Sequence, residues 1–96
     1  MALYVLICID KLNSFALRMA TREAHLAYVR ETPHARLKVG GPFLGKNGEM
    51  TGSLLIAEAK DPAAAEAFAA DDPYGKAGLF ASVEIRPWKV TAGTLS

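Results

Sequence analysis

The chain opens with an apolar run whose alternating positions are apolar on both sides. Residues Leu3 to Ile9 have the sequence LYVLICI, are rich in β-branched and aromatic side chains, and stop at Asp10-Lys11. This composition and this boundary predict a β-strand. A strand with two apolar faces is covered on both sides. In so short a chain, we expect the second cover to come from another subunit.

Two further segments carry the composition and the end signals of helices. The first stops near Pro33, has Ser14 as a candidate N-cap, and contains Thr21 as a candidate cap for a second, separate helix. The other is an alanine-rich segment that follows Asp61-Pro62, with the aspartate as N-cap and the proline at the first helical position. Alanine is the best helix former, so this segment is predicted to be helical throughout.

Three more strands are predicted around these helices. Ala35 to Val39 is predicted to be a strand that ends at Gly40-Gly41-Pro42, and Asn47-Gly48 indicates a hairpin turn. Gly52 to Lys60 is then the returning strand. The last strand lies within the segment LFASVEIRPWKV, where apolar and polar positions alternate. The tail, over about residues 91–96, is predicted to be mobile.

The resulting order, β-α-β-β-α-β, predicts an α+β domain of the ferredoxin-like or split βαβ type. Its four-stranded antiparallel sheet carries both helices on one face and leaves the other face bare in a monomer. The apolar residues on both sides of the first strand predict that this bare face is buried. Two such sheets packed face to face would bury it, so we expect a homodimer.

Composition and charge narrow the class of protein further. The 96 residues suit one domain over 1–96, and 51% hydrophobic with 22% charged residues is near the globular average. The net charge is +1 and the basic residues are scattered, so no nucleic-acid partner is predicted. The single cysteine, Cys8, permits no internal disulfide, and no segment has the pattern of a signal peptide or a membrane span. We expect a cytoplasmic protein without membrane association.

Few residues of the chain are candidates for chemistry. His25 lies within a predicted helix and His34 at a loop-to-strand junction, and neither belongs to a zinc-ligand motif. No dinucleotide or phosphate-loop motif is present, so neither a metal nor a cofactor is predicted. Asp71 and Asp72 follow a helix C-terminus, where the macrodipole disfavours negative charge, and Pro73 holds Asp72 in an extended conformation. These residues alone favour a structural histidine and an ordinary Asp-Pro turn.

Several short motifs, taken in order along the chain, resemble the YciI-like (YCII-related) family. They are the R-x-x-H-L pattern in TREAHLAYV, the GGP segment, the GS at a strand start, the DPY motif and the terminal PW. The resemblance covers nearly the whole chain and implies a ferredoxin-like fold that pairs as a dimeric α+β barrel. It also implies a His–Asp pair, His25 and Asp72, in a pocket that Ser53, Gly41 and Pro42 line.

The implied pair suits proton transfer. A carboxylate that accepts the Nδ1–H of an imidazole fixes the tautomer and leaves the other nitrogen free to take a proton. The hypothesis is therefore a cofactor-free acid/base enzyme, of isomerase or lyase type, that acts on a small cyclic or aromatic compound through His25 and Asp72. Tyr74 and Arg22 are candidates to orient or polarise a substrate oxygen. Asp71 is expected to end its helix in solvent, whereas Asp72 is expected to point inward.

Two other functions stay open at this point. One is a ligand-binding or regulatory dimer without turnover, in which the pair recognises a polar group of a metabolite. The other is a purely structural role for His25 and Asp72, with the dimer acting as an interaction module. The sequence indicates neither a substrate nor a reaction direction.

Overall fold

A computed structural model describes residues 1–95, in which four strands and three helices follow one another. They are β1 (Ala2–Asp10), α1 (Phe15–Glu31), β2 (Ala35–Leu44), β3 (Met50–Ala59), α2 (Pro62–Asp71), α3 (Pro73–Lys76) and β4 (Phe80–Trp88). The predicted β-α-β-β-α-β order is confirmed, with the one-turn helix α3 added before β4. The mobility predicted for the tail stays a prediction, and its last residue, Ser96, lies outside the described residues.

The four strands form one antiparallel sheet in the order β2-β3-β1-β4. The register places Leu6 of β1 opposite Leu55 of β3 on one side and Ile85 of β4 on the other. Since side chains alternate along a strand, Tyr4, Leu6 and Cys8 all point to the same face. All three are buried, and they form the floor of the core.

The core lies between this floor and the two longer helices. Val29 of α1 and Ala65 and Phe68 of α2 are buried against it. Ala65 and Phe68 are both almost fully buried, so α2 presents one small and one large apolar side chain to the core. Burying a side chain of the size of Phe68 stabilises the fold by about 1.5–3 kcal/mol.

The opposite face of the sheet is apolar as well, but no element of the chain covers it within residues 1–95. The pairing register puts side chains from all four strands on this open face. Four apolar members are between 36% and 46% exposed: Ile9, Val39, Leu54 and Trp88. Apolar area that stays in contact with water is unfavourable, and a contiguous patch of it is typical of an interface.

Several predicted local signals are present in the structure. Asp61 is the N-cap of α2, and its Oδ1 accepts a hydrogen bond of 2.8 Å from the backbone N–H of Ala64. Gly48 lies in the hairpin between β2 and β3 with φ +80°, a backbone conformation that glycine adopts without strain. Among residues 1–95, no helix has the combination of length and apolar character that crossing a membrane requires.

One prediction about a helix start is wrong, and another is right only in position. No second helix begins at Thr21, because α1 continues through it and its Oγ1 donates to the carbonyl of Leu17 within the same helix. A threonine hydroxyl that is satisfied in this way does not interrupt a helix. Ser14 occupies the N-cap position of α1, but its side chain makes no capping hydrogen bond; its hydroxyl donates to the carbonyl of Leu12 instead.

The prediction that a strand ends at Gly40-Gly41-Pro42 is also wrong. β2 runs through this segment to Leu44, and Gly41 and Pro42 pair with Leu54 and Ser53 of β3. Proline lacks an N–H donor, but β2 is an edge strand, where one side of the backbone needs no partner. The segment is therefore part of the edge strand β2 rather than a turn.

Candidate active site

Asp72 lies at the junction of α2 and α3 and is the N-cap of α3. Its backbone is extended, with φ −60° and ψ 131°, so the chain changes direction between the two helices. Oδ1 of Asp72 accepts a hydrogen bond of 2.9 Å from the backbone N–H of Tyr74, and Pro73 occupies the first helical position, where no donor is needed. The capping geometry holds the carboxylate of a residue that is only 2% exposed.

His25 reaches this carboxylate from the middle of α1. Its Nδ1 lies 2.9 Å from both Oδ1 and Oδ2 of Asp72. An ionised carboxylate only accepts hydrogen bonds, so Nδ1 is the donor in this contact, and in the neutral imidazole the lone pair is then on Nε2. The His25 ring also stacks on Tyr74, with the ring centroids 4.1 Å apart and 16° between the planes. The imidazole is thus held from two sides, while a catalytic role for either residue of the pair stays a prediction.

Arg18, two turns before His25 on α1, is a buried cation that the sequence did not identify as a site residue. Its Nε and Nη2 donate to the two carboxylate oxygens of Asp10 at 2.7 and 3.0 Å, and Nη2 donates to Oγ of Ser53 at 2.8 Å. The guanidinium carbon lies 4.6 Å from the centroid of the Tyr74 ring. Burial alone lowers the pKa of Arg18, but the hydrogen bonds and charges of Asp10 and Tyr74 together outweigh burial and raise it.

The signal for Arg18 in the sequence is weak. Its neighbours on α1 include the apolar Phe15, Leu17 and Met19, so a charged residue there looks like part of a solvated helix face. Those three side chains are exposed and Arg18 is 3% exposed, which reverses the usual pattern. Asp10, at the end of an apolar strand, is the one hint of a buried partner.

A cavity of about 100 Å³ lies between α1, α3 and the β2–β3 half of the sheet. Arg18, His25, Ser53 and Tyr74 give it a polar end, and its walls are apolar: Leu26, Val29, Leu37 and Leu55. Such a combination is typical of a small-molecule site. No group of three His, Cys, Asp or Glu side chains within residues 1–95 is placed to hold a metal ion.

The cavity brings together most of the residues that the sequence predicted. His25, Ser53, Tyr74, Arg22, Gly41 and Pro42 all line it. Asp72 does not, because it lies behind His25. Arg22 is exposed at the rim, and the hydroxyl of Ser53 accepts from Arg18 rather than facing solvent. The binding roles predicted for these residues stay predictions.

The pKa values of two weakly acidic side chains, Tyr74 and Cys8, are raised, so both are neutral at neutral pH. Burial raises the pKa of Tyr74, although the positive charges of Arg18 and Arg22 act in the opposite direction. Burial, followed by the negative charge of Asp72, raises the pKa of the Cys8 thiol to about 12. At neutral pH the tyrosine is therefore a hydroxyl that can donate a hydrogen bond, and the cysteine is an unreactive thiol.

Asp71 turns away from this site and meets the second histidine. Its Oδ2 lies 2.8 Å from Nε2 of His34, at the entrance to β2. The two side chains are 50% and 34% exposed, so Asp71 ends its helix at the surface as expected, although in contact with His34. The two adjacent aspartates thus serve two different histidines.

The family of the chain follows from comparison with known sequences. The YCII-related domain matches residues 2–89. The chain belongs to this family. It is 36% identical to the protein YciI of Escherichia coli over 94 residues, which is 91% of this chain and 96% of that protein. An uncharacterized protein of Haemophilus influenzae is 37% identical over 93 residues, covering 90% of this chain and 95% of its own.

Solved structures extend the comparison to the fold. A 5-chloro-2-hydroxyhydroquinone dehydrochlorinase from Burkholderia phenoliruptrix, in complex with 2,5-dihydroxybenzoquinone, superposes with a TM-score of 0.81. It is 37% identical to this YCII-related chain, and the alignment covers 91% of this chain and 93% of that one. An antibiotic biosynthesis monooxygenase superposes with a TM-score of 0.60 at 11% identity, over 96% of this chain and all of the other. This second likeness concerns the fold alone.

Proposed function

We propose that this YCII-related protein is an enzyme that transfers a proton on a small, oxygen-bearing cyclic or aromatic compound, with His25 as the acid/base group. One observation carries the proposal: a buried histidine, held through Nδ1 by Asp72, lines a small cavity with apolar walls. The similarity to a dehydrochlorinase of a hydroxylated aromatic compound supports small-molecule chemistry.

In the proposed reaction, Nε2 of His25 takes a proton from a substrate hydroxyl or from a carbon next to a carbonyl. The electron pair left behind moves into the ring system, and negative charge develops on a substrate oxygen. Asp72 then faces an imidazolium and stabilises it. Return of the proton to another atom completes an isomerisation, whereas departure of a leaving group with its bonding pair completes an elimination. A positioned base of this kind contributes about 10²–10⁴-fold in rate.

The remaining residues of the cavity have supporting roles in this proposal. The Tyr74 hydroxyl, protonated at neutral pH, donates a hydrogen bond to the substrate oxygen on which charge develops. Gly41 and Pro42 form the wall at the edge of the sheet, and Ser53 keeps the Arg18 guanidinium in place from below. Arg22 covers the mouth.

Turnover by the His25→Gln variant tests the proposal. The panel of compounds includes 5-chloro-2-hydroxyhydroquinone, and product formation is followed by absorbance and by chloride release. We expect kcat to fall about 10²–10⁴-fold while ligand binding is retained, because glutamine keeps a polar side chain but cannot take the proton. The matched control, His34→Gln, replaces the other histidine and leaves kcat unchanged.

Two outcomes would replace the proposal with its alternatives. Tight binding of a panel compound without conversion by the wild-type protein supports a ligand-binding module. Absence of both binding and turnover in the wild-type protein supports a structural role for the pair.

We also propose that the chain forms a homodimer through the open face of its sheet. The exposed apolar side chains of Ile9, Val39, Leu54 and Trp88 support this arrangement, because a second copy offers the same apolar face. Sedimentation measures the assembly and also detects larger oligomers; a stable species of 10.3 kDa at micromolar concentration would overturn the proposal. Leu54→Lys should dissociate the dimer, while Val83→Lys, exposed on the helix-bearing face, should not. The cytoplasmic location stays a prediction.

A further inference from the structure

We propose that the cavity selects a ligand that carries an anionic oxygen, and that Arg18 and Arg22 form the subsite that binds it. The inference rests on the proposed function, since it concerns the same cavity, and it names the substrate class. That class is a single ring bearing an ionised hydroxyl, such as a phenolate, a cyclic enolate or a hydroxyquinone anion.

The positively charged side chains around the cavity line it directly, whereas the negatively charged side chains lie further from it. Arg18 and Arg22 line the cavity, and no acidic side chain of residues 1–95 does. Asp10 and Asp72 each lie behind the residue they hold, Arg18 and His25 respectively. A ligand in the cavity therefore meets cations first and carboxylates only in a second layer, which favours a negative charge on the ligand.

Arg18 keeps donors for such a ligand. Its three hydrogen bonds to Asp10 and Ser53 run from Nε and Nη2, and none of them uses Nη1, which carries two more N–H donors. The bidentate contact with Asp10 and the contact with Tyr74 hold the guanidinium in one orientation before any ligand arrives. A preorganised arginine loses little side-chain freedom on binding, so more of the interaction energy appears as affinity.

Arg22 lies one turn further along α1 and is exposed at the cavity mouth. An exposed charge there attracts an anion over a distance, and its contribution falls as salt increases. The positive charges of both arginines also oppose the effect of burial on the pKa of Tyr74. Their field therefore reaches the polar end of the cavity.

The apolar part of the cavity sets the size of the ligand. Leu26, Leu37 and Leu55 form walls around a volume of about 100 Å³. A space of that order suits one ring rather than a larger skeleton. An ionised oxygen at one end of a single apolar ring matches the polar end and the apolar walls together.

Titration calorimetry with 2,5-dihydroxybenzoquinone, which is an anion at neutral pH, tests the subsite. We expect Arg22→Gln to weaken binding of the anion about threefold, as is usual for an exposed charge, and the effect to shrink at high salt. The matched control is Arg30→Gln, which removes an exposed arginine from the same helix outside the cavity and should leave the affinity unchanged. The neutral dimethyl ether of the probe should bind more weakly than the anion and respond to neither change.

The buried arginine needs a variant that avoids leaving Asp10 unpaired. The double substitution Asp10→Asn/Arg18→Gln replaces the ion pair by two neutral polar side chains, and we expect it to weaken anion binding about 30-fold. If this variant does not fold, the affinities of Arg22→Gln for the anion and of the wild type for the neutral ether still test the subsite. Equal affinity for the anion and the ether, no binding of the anion, or an unchanged affinity in the arginine variants would overturn the proposal.

The same measurements separate this inference from the proposed function. His25→Gln retains the arginines, so it should still bind the anion more tightly than the neutral ether. Anion binding without turnover by the wild-type protein would remove the proposed proton transfer and leave the subsite intact. Turnover of neutral compounds that does not depend on Arg18 or Arg22 would overturn the anion subsite and leave the proposed proton transfer intact.

Discussion

The two histidine–aspartate pairs on either side of the α2–α3 junction have nearly the same contact distance and very different surroundings. His25 and Asp72 meet at 2.9 Å, and their side chains are 8% and 3% exposed. His34 and Asp71 meet at 2.8 Å, and theirs are 34% and 50% exposed. Their contact distances therefore do not distinguish the pairs, and burial is what differs.

Burial changes what each pair does. At the surface, water replaces either partner at little loss, and salt screens the attraction. In the interior, removal of one partner leaves a polar or charged group without water and without a hydrogen bond, which is strongly unfavourable. Asp72 also caps α3, so its carboxylate serves the histidine and the helix at once. A given pair of residue types thus gives a surface contact in one place and a candidate reactive group in the other.

The largest expected effect is on the alkylation rate of Cys8. Burial and the negative charge of Asp72 raise the pKa of this thiol, so its reactivity tests whether the surroundings of the His25–Asp72 pair are buried. Its pKa is raised from 9.0 to about 12, so at any pH below the raised value less of it is thiolate in the folded protein. We expect iodoacetamide at pH 8 to alkylate the folded protein on the order of 10³-fold more slowly than the urea-unfolded chain. Mass spectrometry over time measures both rates. Asp71→Ala should leave the slow rate unchanged, and fast alkylation of the folded wild type would contradict the burial of this region.

The second prediction compares the two aspartates directly. Asp72→Ala should lower the free energy of unfolding by about 3–4 kcal/mol, because it orphans the buried His25 and removes the cap of α3. Asp71→Ala should lower it by about 0.5 kcal/mol, as expected for an exposed pair. Urea denaturation monitored by circular dichroism measures both values. Similar losses for the two variants would mean that burial is not what separates the pairs.

A third variant separates the capping role of Asp72 from its contact with His25. Asp61 caps α2 in the ordinary way, at an exposed position and without a histidine partner among the described residues. We expect Asp61→Ala to lower the free energy of unfolding by about 1 kcal/mol in the same urea assay. The excess loss in Asp72→Ala then belongs to the histidine contact. A loss for Asp61→Ala as large as that for Asp72→Ala would leave nothing for His25 to explain.

The architecture was predictable because its signals are local. The two-sided apolar pattern of β1, the Asp61-Pro62 helix start and the Asn47-Gly48 turn each depend on a few neighbouring residues. The one-turn helix α3 was missed because four residues are too few to show a helical period. Gly40-Gly41-Pro42 predicts a strand end because these residues usually break strands, and only the sheet order reveals that β2 is an edge strand that tolerates them.

The site was less predictable because its contacts join distant parts of the chain. Only the family resemblance pairs Asp72 with His25, since nothing in the residues themselves links these two distant positions. Asp10 and Arg18 escaped notice because a buried ion pair between a strand end and a helix has no sequence period. The His34–Asp71 contact was missed for the same reason. Local chemistry shows which residues can titrate, and only the folded chain shows which of them meet.

The smallest expected effect is the loss of stability on breaking the exposed His34–Asp71 pair, and this loss should depend on salt. His34→Gln should lower the free energy of unfolding by about 0.5 kcal/mol or less at low salt. Raising sodium chloride from 0.05 to about 0.5 M shortens the screening length to a few ångströms and should remove that difference. The loss in His25→Gln should persist at both salt concentrations, because water and ions do not reach a buried pair. Thermal melts of the two variants against wild type at each salt concentration make the comparison, and a His34→Gln loss that salt does not change would place that pair with the buried one.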